Sequence, residues 1–590
     1  MKEKKCMHIL EHYRARRFQG YSFDHFRKDL ISGFIVGIIA IPLGMAFAIA
    51  SGVSPEYGLY TSVVAGILIS LCGGSRFQIG GPTGAFIPIL LGIVLTYGYE
   101  NLLLAGFMAG IMLVLMGIFR LGVLIKFIPR PVTIGFTSGI AVIIFTSQIA
   151  NFLGLTGVQS HVRFWDNIKE IIKHIGTVNG YSVAAAAICL IVMLALPRIW
   201  PKIPAALAGL IVSATAVGLL FPGKVPTIGS TFGAIAQSLP ALQFPEISLE
   251  RIQLLLVPAL MIALLGGVES LLSAVVADGM TNDRHNSNRE LIGQGIANMI
   301  TPLFGGIPAT GAIARTATNI KSGAVSPISG VIHGLTVLFV LLVFAPLASD
   351  IPLASMAPIL MMVAWNMSER KRFMYILKMK SGDTLVLIVT FLLTVWVDLM
   401  TGVGAGMLLA FVLFIKYVSK TAVTTNVLPG SIKVNEQPEG SKFTENPVCS
   451  QVGIINVEGV LFFGSAQSFE QELLDSVRDR PKIVLLRMNK VPFMDISCAA
   501  YFSGVVHHIQ KYGGTVLISE IRSQPMSTMI KSGLYQTIGA SHFYNNTTDA
   551  MKRALSYLGT EQCAVCGHLA DEQCVRIRQA AMSEWRKLPE

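Results

Sequence analysis

The sequences GGPTGAF at residues 80–86 and GGIPATGAI at residues 305–313 decide the fold of this chain. Each lies inside an apolar region but holds too many glycines and prolines for an ordinary membrane span. Each also comes third in a series of seven apolar segments. Paired, interrupted segments at matching positions of two halves are typical of inverted-repeat transporters, whose substrate site lies where the repeats meet. The pattern therefore predicts seven plus seven spans.

Composition supports a membrane domain followed by a water-soluble one. The chain has 590 residues, of which 52% are hydrophobic and 14% charged, and its mean hydropathy is +0.61. These values lie outside the range of ordinary globular domains. Spans are predicted near residues 30–50, 55–73, 80–97, 101–119, 133–153, 180–197 and 203–221, and again near residues 251–276, 288–303, 305–320, 323–347, 352–366, 381–397 and 401–418.

The distribution of charge predicts the domain boundaries and the orientation. We expect an N-terminal arm at 1–28, a transmembrane domain at 29–420, a linker at 421–450, an α/β domain at 451–557 and a cysteine-containing tail at 558–590. The arm is rich in Lys and Arg, so the positive-inside rule places it, and the C-terminus, in the cytoplasm of a cell-membrane protein. The net charge of +12 is concentrated at membrane flanks, which argues against nucleic acid as a partner.

Extended Gly/Pro backbone at membrane depth is tolerated only where it lines a cavity inside the protein. Where each stretch turns into a half-helix, free N–H groups and the positive end of the helix dipole point into that cavity. Two such ends facing each other would bind an anion. The alternative is that Gly and Pro are simply more frequent in membrane helices. The candidate substrate-binding residues at the two breaks are Thr83, Gly84, Ala85, Phe86, Thr310, Gly311 and Ala312.

The sequences PEYGLYTS at residues 55–62 and GGSR at residues 73–76 resemble the signature of the SulP sulfate-permease family of anion transporters. The resemblance extends to Ile41-Pro42 and Ala46-Phe47, to both Gly/Pro breaks and to a C-terminal part similar to a STAS domain. It implies an α-helical membrane protein of fourteen spans, arranged as a 7+7 inverted repeat with UraA-like core and gate domains, and a homodimer. Leu43 departs from the glutamine of many animal members, so the substrate preference of those members is not carried over to this chain.

Charged residues within the predicted spans are the next candidates, because intramembrane charges are costly and usually functional. The resemblance places Glu269 at the coupling-cation position, with Ser273 beside it, and Arg315 as the basic residue facing the anion. A glutamate there favours H⁺ over Na⁺ as the coupling ion. The alternatives are that Glu269 only pairs with Arg315, or that Arg315 extends to the cytoplasmic surface. Phe47 is a candidate pocket-lining residue, and packing is its alternative role.

The last two predicted spans meet at Asp398, for which we favour a cap or a gate contact over a role as ligand.

From residue 452 the pattern changes to alternating strands and helices, which predicts a small α/β domain. This domain resembles STAS domains and anti-sigma factor antagonists. The resemblance implies that Ser497 corresponds to a serine that is phosphorylated in those antagonists, and that a cytosolic regulatory partner binds the domain. A plain helix-start residue is the alternative for Ser497. The sequence holds no Walker motif, so transport is expected to be secondary rather than driven by ATP.

Cysteine and histidine residues cluster near the C-terminus, at Cys563, Cys566, His568 and Cys574. Three thiols and one imidazole are compatible with a tetrahedral structural zinc site in a reducing compartment. Redox chemistry and no function at all remain alternatives.

The sequence as a whole predicts a secondary transporter for a small anion of the sulfate, bicarbonate or dicarboxylate class, and not an enzyme. We expect proton-coupled symport by an elevator mechanism, with no cofactor for transport. Na⁺-coupled symport and electroneutral exchange are alternatives within this class. A membrane-anchored STAS sensor is disfavoured, because sensing does not need fourteen spans.

Overall fold

The computed structural model describes residues 21–123, 128–200, 203–233, 246–419, 423–427, 452–477 and 481–557, together with 237, 242 and 244. Contacts divide the chain into two units, Met1–Ala410 and Phe411–Glu590. The first is almost wholly helical, and the second contains a mixed sheet flanked by helices.

The first series of helices contains one interrupted member. Strand β1 (Gly80–Gly81) and a short 3-10 turn (Gly84–Phe86) precede its helix α3. The helices are α1 (Phe23–Ala50), α2 (Pro55–Cys72), α3 (Ile87–Tyr97), α4 (Tyr99–Ile118), α5 (Arg130–Leu153), α6 (Phe164–Lys173), α7 (Gly180–Ile199), α8 (Ala205–Leu220) and α9 (Ile228–Phe232).

The second series repeats this plan. A 3-10 turn (Thr301–Phe304) and strand β2 (Thr310–Gly311) precede the short helix α12. The helices are α10 (Leu249–Thr281), α11 (Ser287–Ile300), α12 (Ile313–Lys321), α13 (Ile328–Ser349), α14 (Leu353–Met367), α15 (Arg370–Lys378), α16 (Gly382–Trp396) and α17 (Leu399–Ser419).

Each of the fourteen predicted spans coincides with a helix or with an interrupted segment, which confirms the predicted fold class. Among the described residues, eight helices are long and apolar enough to cross a membrane by length and composition. The remaining spans are shorter, as expected for half-helices and for helices packed inside a bundle. The amphipathic helices α6 and α15 connect spans and were not among the predicted segments.

The membrane helices pack in two groups. Helices α1, α2, α4, α10, α11 and α13 contact one another extensively. Helices α5, α7, α8, α14 and α16 form the second group, and α17 joins it through α16. Both half-helices belong to the first group by their contacts with α10, so the two breaks lie within one packed body.

Glycines allow α16 to lie unusually close to its neighbours. A Cβ built on Gly139 of α5 would come 2.7 Å from Thr394 Cγ2, and one on Gly406 of α17 would come 2.0 Å from Thr390 Oγ1. Thr390 and Thr394 both lie on α16 and are buried. Small residues at such contacts let backbones approach in a membrane, where lipid supplies no hydrophobic driving force between helices.

The second unit is an α/β domain built on a five-stranded sheet. The sheet order is β3-β4-β5-β6-β7, and every pairing is parallel except that of β3 with β4. The strands are β3 (Val423–Val427), β4 (Val452–Glu458), β5 (Ile483–Lys490), β6 (Thr515–Ser519) and β7 (Phe543–Tyr544), and the helices are α18 (Phe463–Ser476), α19 (Ile496–Lys511), α20 (Ser523–Lys531), α21 (Leu534–Ile538) and α22 (Thr547–Tyr557).

The structure differs from the sequence prediction at strand β3. Residues 421–450 were predicted to be a linker, yet Val423–Val427 pairs antiparallel with β4. The strand has the sequence VTTNV, whose polar centre does not show the apolar alternation of a half-buried strand. Its place in the sheet comes from backbone pairing with β4, which sequence periodicity does not report.

Two glycines of α17 provide a matched test of the close packing around α16. We expect Gly406→Ala to destabilise the protein by about 1–3 kcal/mol, because the new methyl group would overlap Thr390. Gly404→Ala should be neutral or slightly stabilising, because nothing lies within 4 Å of a Cβ built there. Thermal unfolding of the purified protein in detergent measures both. Equal effects would contradict close packing at Gly406.

Candidate functional site

The two Gly/Pro breaks cross each other inside the first group of helices. Gly80 pairs with Gly311 and Gly81 with Thr310, in an antiparallel two-stranded ladder. The ladder places the residues that precede both half-helices side by side. Antiparallel pairing is also the arrangement expected when two similar segments enter from opposite sides of a membrane.

The first extended segment is held mainly by side chains of the second half. The N–H of Ile79 donates to Thr316 Oγ1 at 3.1 Å, and the carbonyl of Phe77 accepts from Asn319 Nδ2 at 2.9 Å. Gln78 donates through Nε2 to the hydroxyl of Ser270 at 3.0 Å. The bonds to Ile79 and Phe77 pair backbone groups that have no intrahelical partner at the break, and such groups would be costly if left unpaired in a membrane.

The second extended segment is held mostly from the first half and from α11. Asn298 donates to the carbonyl of Ala309 and accepts from its N–H, both at 2.8 Å. The N–H of Ile307 donates to Thr61 Oγ1 at 2.7 Å, and the N–H of Ala312 donates to the carbonyl of Ile79 at 2.8 Å. Each break is therefore braced by residues of the opposite repeat.

The sequence between Pro55 and Arg76 supplies several of these braces. Thr61 holds the second break, and the phenol ring of Tyr57 stacks on Tyr99 with ring centroids 4.4 Å apart. Tyr99 in turn donates to the carbonyl of Gly305 at 2.5 Å. Gly58 lets α2 touch α1, since a Cβ built there would come 2.0 Å from the carbonyl oxygen of Gly44. The signature thus has a structural role beside the site.

Two glutamates lie within the first helix group, and their surroundings differ. Glu290 is fully buried and accepts from the N–H groups of Gly74 (2.7 Å) and Ser75 (3.0 Å), from Gln294 Nε2 (2.9 Å) and from Ser270 Oγ (3.2 Å). Among the described residues, the hydrogen bond that Glu269 accepts comes from Thr83 Oγ1 at 2.9 Å. Glu290 is saturated by donors, whereas Glu269 retains acceptor capacity at the start of the first half-helix.

Arg315 lies in the first turn of α12 and is only 3% exposed. One of its nitrogens, Nη2, donates to the carbonyl of Pro82, and the other, Nη1, lies against Gly81 and has no hydrogen-bond partner among the described residues. The described contacts include no ion pair between Arg315 and Glu269, and this degree of burial does not fit an arginine extended to the membrane surface. The guanidinium therefore lies next to the crossing of the two breaks.

The other predicted site residues fall near this crossing but differ in their surroundings. Phe86 is buried against Gly266, and Phe47 lies beside Gly84, so Phe47, Gly84, Ala85 and Phe86 are close together. Thr310 and Ser273 are buried and already bonded, Thr310 to the carbonyl of Gly266 (2.9 Å) and Ser273 to Thr316 Oγ1 (3.2 Å). Gly311 and Ala312 form the end of β2 and the start of α12. The predicted residues are thus brought together, and the side-chain hydrogen bond of Ser273 goes to Thr316 rather than to Glu269.

Three predictions fall outside this site. Asp398 caps α17, since its carboxylate accepts from the N–H of Thr401 at 2.9 Å. Ser497 is exposed in the first turn of α19, where Asp495 is the N-cap and accepts from the N–H of Cys498 at 2.7 Å. Cys563, Cys566, His568 and Cys574 lie outside the described residues, among which no cluster of three metal-binding side chains occurs.

Sequence analysis missed Glu290, Gln78 and His333. Glu290 stands in the first turn of its helix, where an acidic residue is ordinarily a surface feature, so its position gave no signal. Gln78 precedes the first break, and a single amide carries little information. His333 is fully buried on α13, and Gly66 of α2 leaves room for its ring. A histidine inside an apolar 22-residue helix was the available signal.

Comparisons with known proteins agree on the class of molecule. Residues 26–390 match the model of the sulfate permease family, and residues 444–550 match that of the STAS domain. The fold and the paired half-helices define a polytopic membrane transporter. The chain belongs to the sulfate permease family and carries a C-terminal STAS domain; it is a multi-pass anion transporter and not an enzyme.

Individual relatives share nearly the whole chain. The "Putative sulfate transporter YvdB" of Bacillus subtilis (strain 168) is 54% identical over 531 residues, covering 90% of this chain and 98% of that protein. The bicarbonate transporter BicA of Synechocystis is 28% identical over 560 residues, with 91% and 96% covered. Among solved structures, that of SLC26A9 superposes with a TM-score of 0.83 at 17% identity and covers 95% of both chains, which supports the fold.

Glu290 and Glu269 should respond differently to replacement by glutamine. Glu290→Gln replaces one acceptor oxygen by a donor that faces other donors, so we expect a loss of about 1.5–3 kcal/mol in stability. Glu269→Gln keeps an acceptor for Thr83 and should change the melting temperature much less. Thermal unfolding in detergent compares them. An equal loss at both positions would contradict the view that Glu290 is the structural carboxylate.

Proposed function

We propose that this protein moves a small anion of the sulfate, bicarbonate or dicarboxylate class across the cell membrane by proton-coupled symport. The carrying observation is the antiparallel pairing of Gly80–Gly81 with Thr310–Gly311, which brings the starts of two half-helices together beside a buried arginine. Free amides at a helix N-terminus and the helix dipole both favour an anion. The family membership and the names of the relatives support the same substrate class.

The anion would lie between the residues that start the two half-helices. On one side these are Thr83, Gly84, Ala85 and Phe86, and on the other Thr310, Gly311 and Ala312. Phe47 would close the pocket from α1, because it lies beside Gly84. Arg315 would add positive potential and a planar donor group, and its Nη1 has no partner among the described residues. Amides and one guanidinium select for negative charge and accept more than one anion shape.

Glu269 would carry the coupling proton. It lies on α10 and accepts a hydrogen bond from Thr83, a residue at the start of the first half-helix. Protonation of Glu269 would therefore change the charge next to the anion. A protonated Glu269 would also reduce the negative charge beside an incoming anion. Because the charge changes of the proton and the anion offset each other, binding one favours binding the other. Ser273, through Thr316, would position the same end of α10 against the first break.

Movement of the site would follow an elevator mechanism. The helices that hold both breaks pack as one group, and α5, α7, α8, α14, α16 and α17 pack as another. The first group would act as the mobile core and the second as the gate. The N-terminal arm and the STAS domain would lie in the cytoplasm, where a regulatory partner could bind, and the protein would form a homodimer. A zinc site in residues 558–590 stays a prediction.

Transport assays with Glu269→Gln test the coupling. In proteoliposomes with a panel of labelled anions, we expect an inward proton gradient to drive accumulation of the substrate by the wild type. Glu269→Gln should transport without responding to that gradient. Glu250→Gln is the matched control, because Glu250 lies on the same helix but is exposed.

Other outcomes would contradict proton symport in different ways. Accumulation driven by a sodium gradient and abolished in Glu269→Gln would assign Na⁺ as the coupling ion. Uptake that needs only an internal counter-anion and ignores Glu269→Gln would identify an exchanger with a structural Glu269.

Substitutions of Arg315 test the anion site itself. We expect Arg315→Gln to raise the KM for the transported anion about tenfold or more, because a charge-assisted hydrogen bond is lost. Arg315→Lys keeps the charge but not the planar guanidinium, so its KM should lie between those of the wild type and Arg315→Gln. Concentration dependence of uptake gives KM and kcat separately. An unchanged KM in Arg315→Gln would exclude Arg315 from the anion site.

A further inference from the structure

We propose that helix α15 and the loop that follows it form a binding surface for anionic phospholipid headgroups. This surface, called the α15 surface below, lies between spans α14 and α16, so it is held at one edge of the membrane domain. Residues 369–383 hold five basic side chains and two carboxylates. One of the carboxylates, Glu369, is paired with Arg372 at 2.8 Å.

The exposed face of α15 mixes basic and apolar side chains. Lys371, Met374, Tyr375 and Lys378 are spaced so that they share one face of the helix, and all four are exposed. Tyr375 is 68% exposed. A helix face bathed only in water would not favour large apolar groups at these positions. The headgroup region of a bilayer accommodates both kinds of side chain. Lipid phosphates bind the lysine ammonium groups, and acyl chains contact the apolar side chains.

The opposite face of α15 fixes the helix to the membrane domain. The ring of Phe373 packs edge-on against Phe391 of α16, with centroids 5.3 Å apart. Ile376 and Leu377 are half-buried, and α15 also contacts α5. At the end of α14, the guanidinium of Arg370 lies 4.1 Å from the ring centroid of Trp365, which is itself half-exposed. Indole rings are enriched at the level of lipid headgroups, which matches this position.

Neighbouring spans extend the positive charge on the same edge. Gly135 of α5 faces Thr390 of α16, and Gly139 faces Thr394, so the two helices run in the same direction. Their first residues therefore lie at the same membrane edge, and the first residue of α5 is Arg130. Anionic lipids attract such clusters of basic residues next to spans, whereas a zwitterionic surface does not.

Trp365 provides a local probe of the lipid at this surface. The full chain is reconstituted in phosphatidylcholine vesicles that contain 30% of either brominated phosphatidylglycerol or brominated phosphatidylcholine. The chain has five tryptophans, so the signal of Trp365 is obtained by subtracting that of Trp365→Phe. We expect at least about twofold stronger quenching by the brominated phosphatidylglycerol, because basic residues near a bilayer enrich anionic lipid around them.

Charge variants decide whether the α15 surface causes that preference. The α15 variant combines Lys371→Gln, Lys378→Gln and Lys380→Gln. In this variant, the two brominated lipids should quench the fluorescence of Trp365 equally. The matched control Lys482→Gln, Lys511→Gln, Lys531→Gln removes the same charge from the STAS domain and should keep the preference. Equal quenching in the wild type would overturn the proposal. Stronger quenching by brominated phosphatidylglycerol in the α15 variant would also overturn it. The same holds if the STAS control loses this preference to the same extent as the α15 variant.

Discussion

The need to pair backbone groups at membrane depth governs this structure. Two segments leave the helical conformation inside the membrane domain, where their N–H and carbonyl groups need partners that lipid does not supply. They meet in an antiparallel ladder at Gly80–Gly81 and Thr310–Gly311 and take further bonds from side chains around them. Each break takes part of its hydrogen bonds from the opposite repeat, so the two halves stabilise each other's extended segments. The proposed anion site depends on the same breaks, since they create the helix ends that would bind the anion.

The braces explain why polar residues stand in an apolar domain. Asn298, Thr61, Thr316 and Asn319 are buried, and each binds a backbone group of an extended segment. Glu290 serves the loop after α2 in the same way. Glu269 differs because its partner is a hydroxyl at the start of a half-helix. The contrast between a saturated carboxylate and one with spare acceptor capacity is the basis for proposing Glu269, and not Glu290, as a functional residue.

The two helix groups share one packing device, and the first adds a network of hydrogen bonds around the breaks. In both groups glycines lie against threonines and permit close packing of helices: Gly37 of α1 lies against Thr336 of α13, and Gly406 of α17 lies against Thr390 of α16. The group that holds the breaks is in addition cross-linked by hydrogen bonds between distant parts of the chain. Helix α15 packs on the second group and gives it a basic, partly apolar surface.

The sequence by itself determined the span count, the paired breaks and the α/β character of the C-terminal domain, because apolar periodicity and Gly/Pro interruptions are local signals. It also placed Glu269 and Arg315 among the candidates, because charged residues inside a predicted span are conspicuous. The break residues were candidates because Gly/Pro interruptions are visible in the sequence. Only the tertiary structure decided that Glu290 is saturated, that Ser273 contacts Thr316, and that Val423–Val427 joins the sheet. Those facts depend on partners remote in the chain, and neither residue type nor local spacing encodes which donor meets which acceptor.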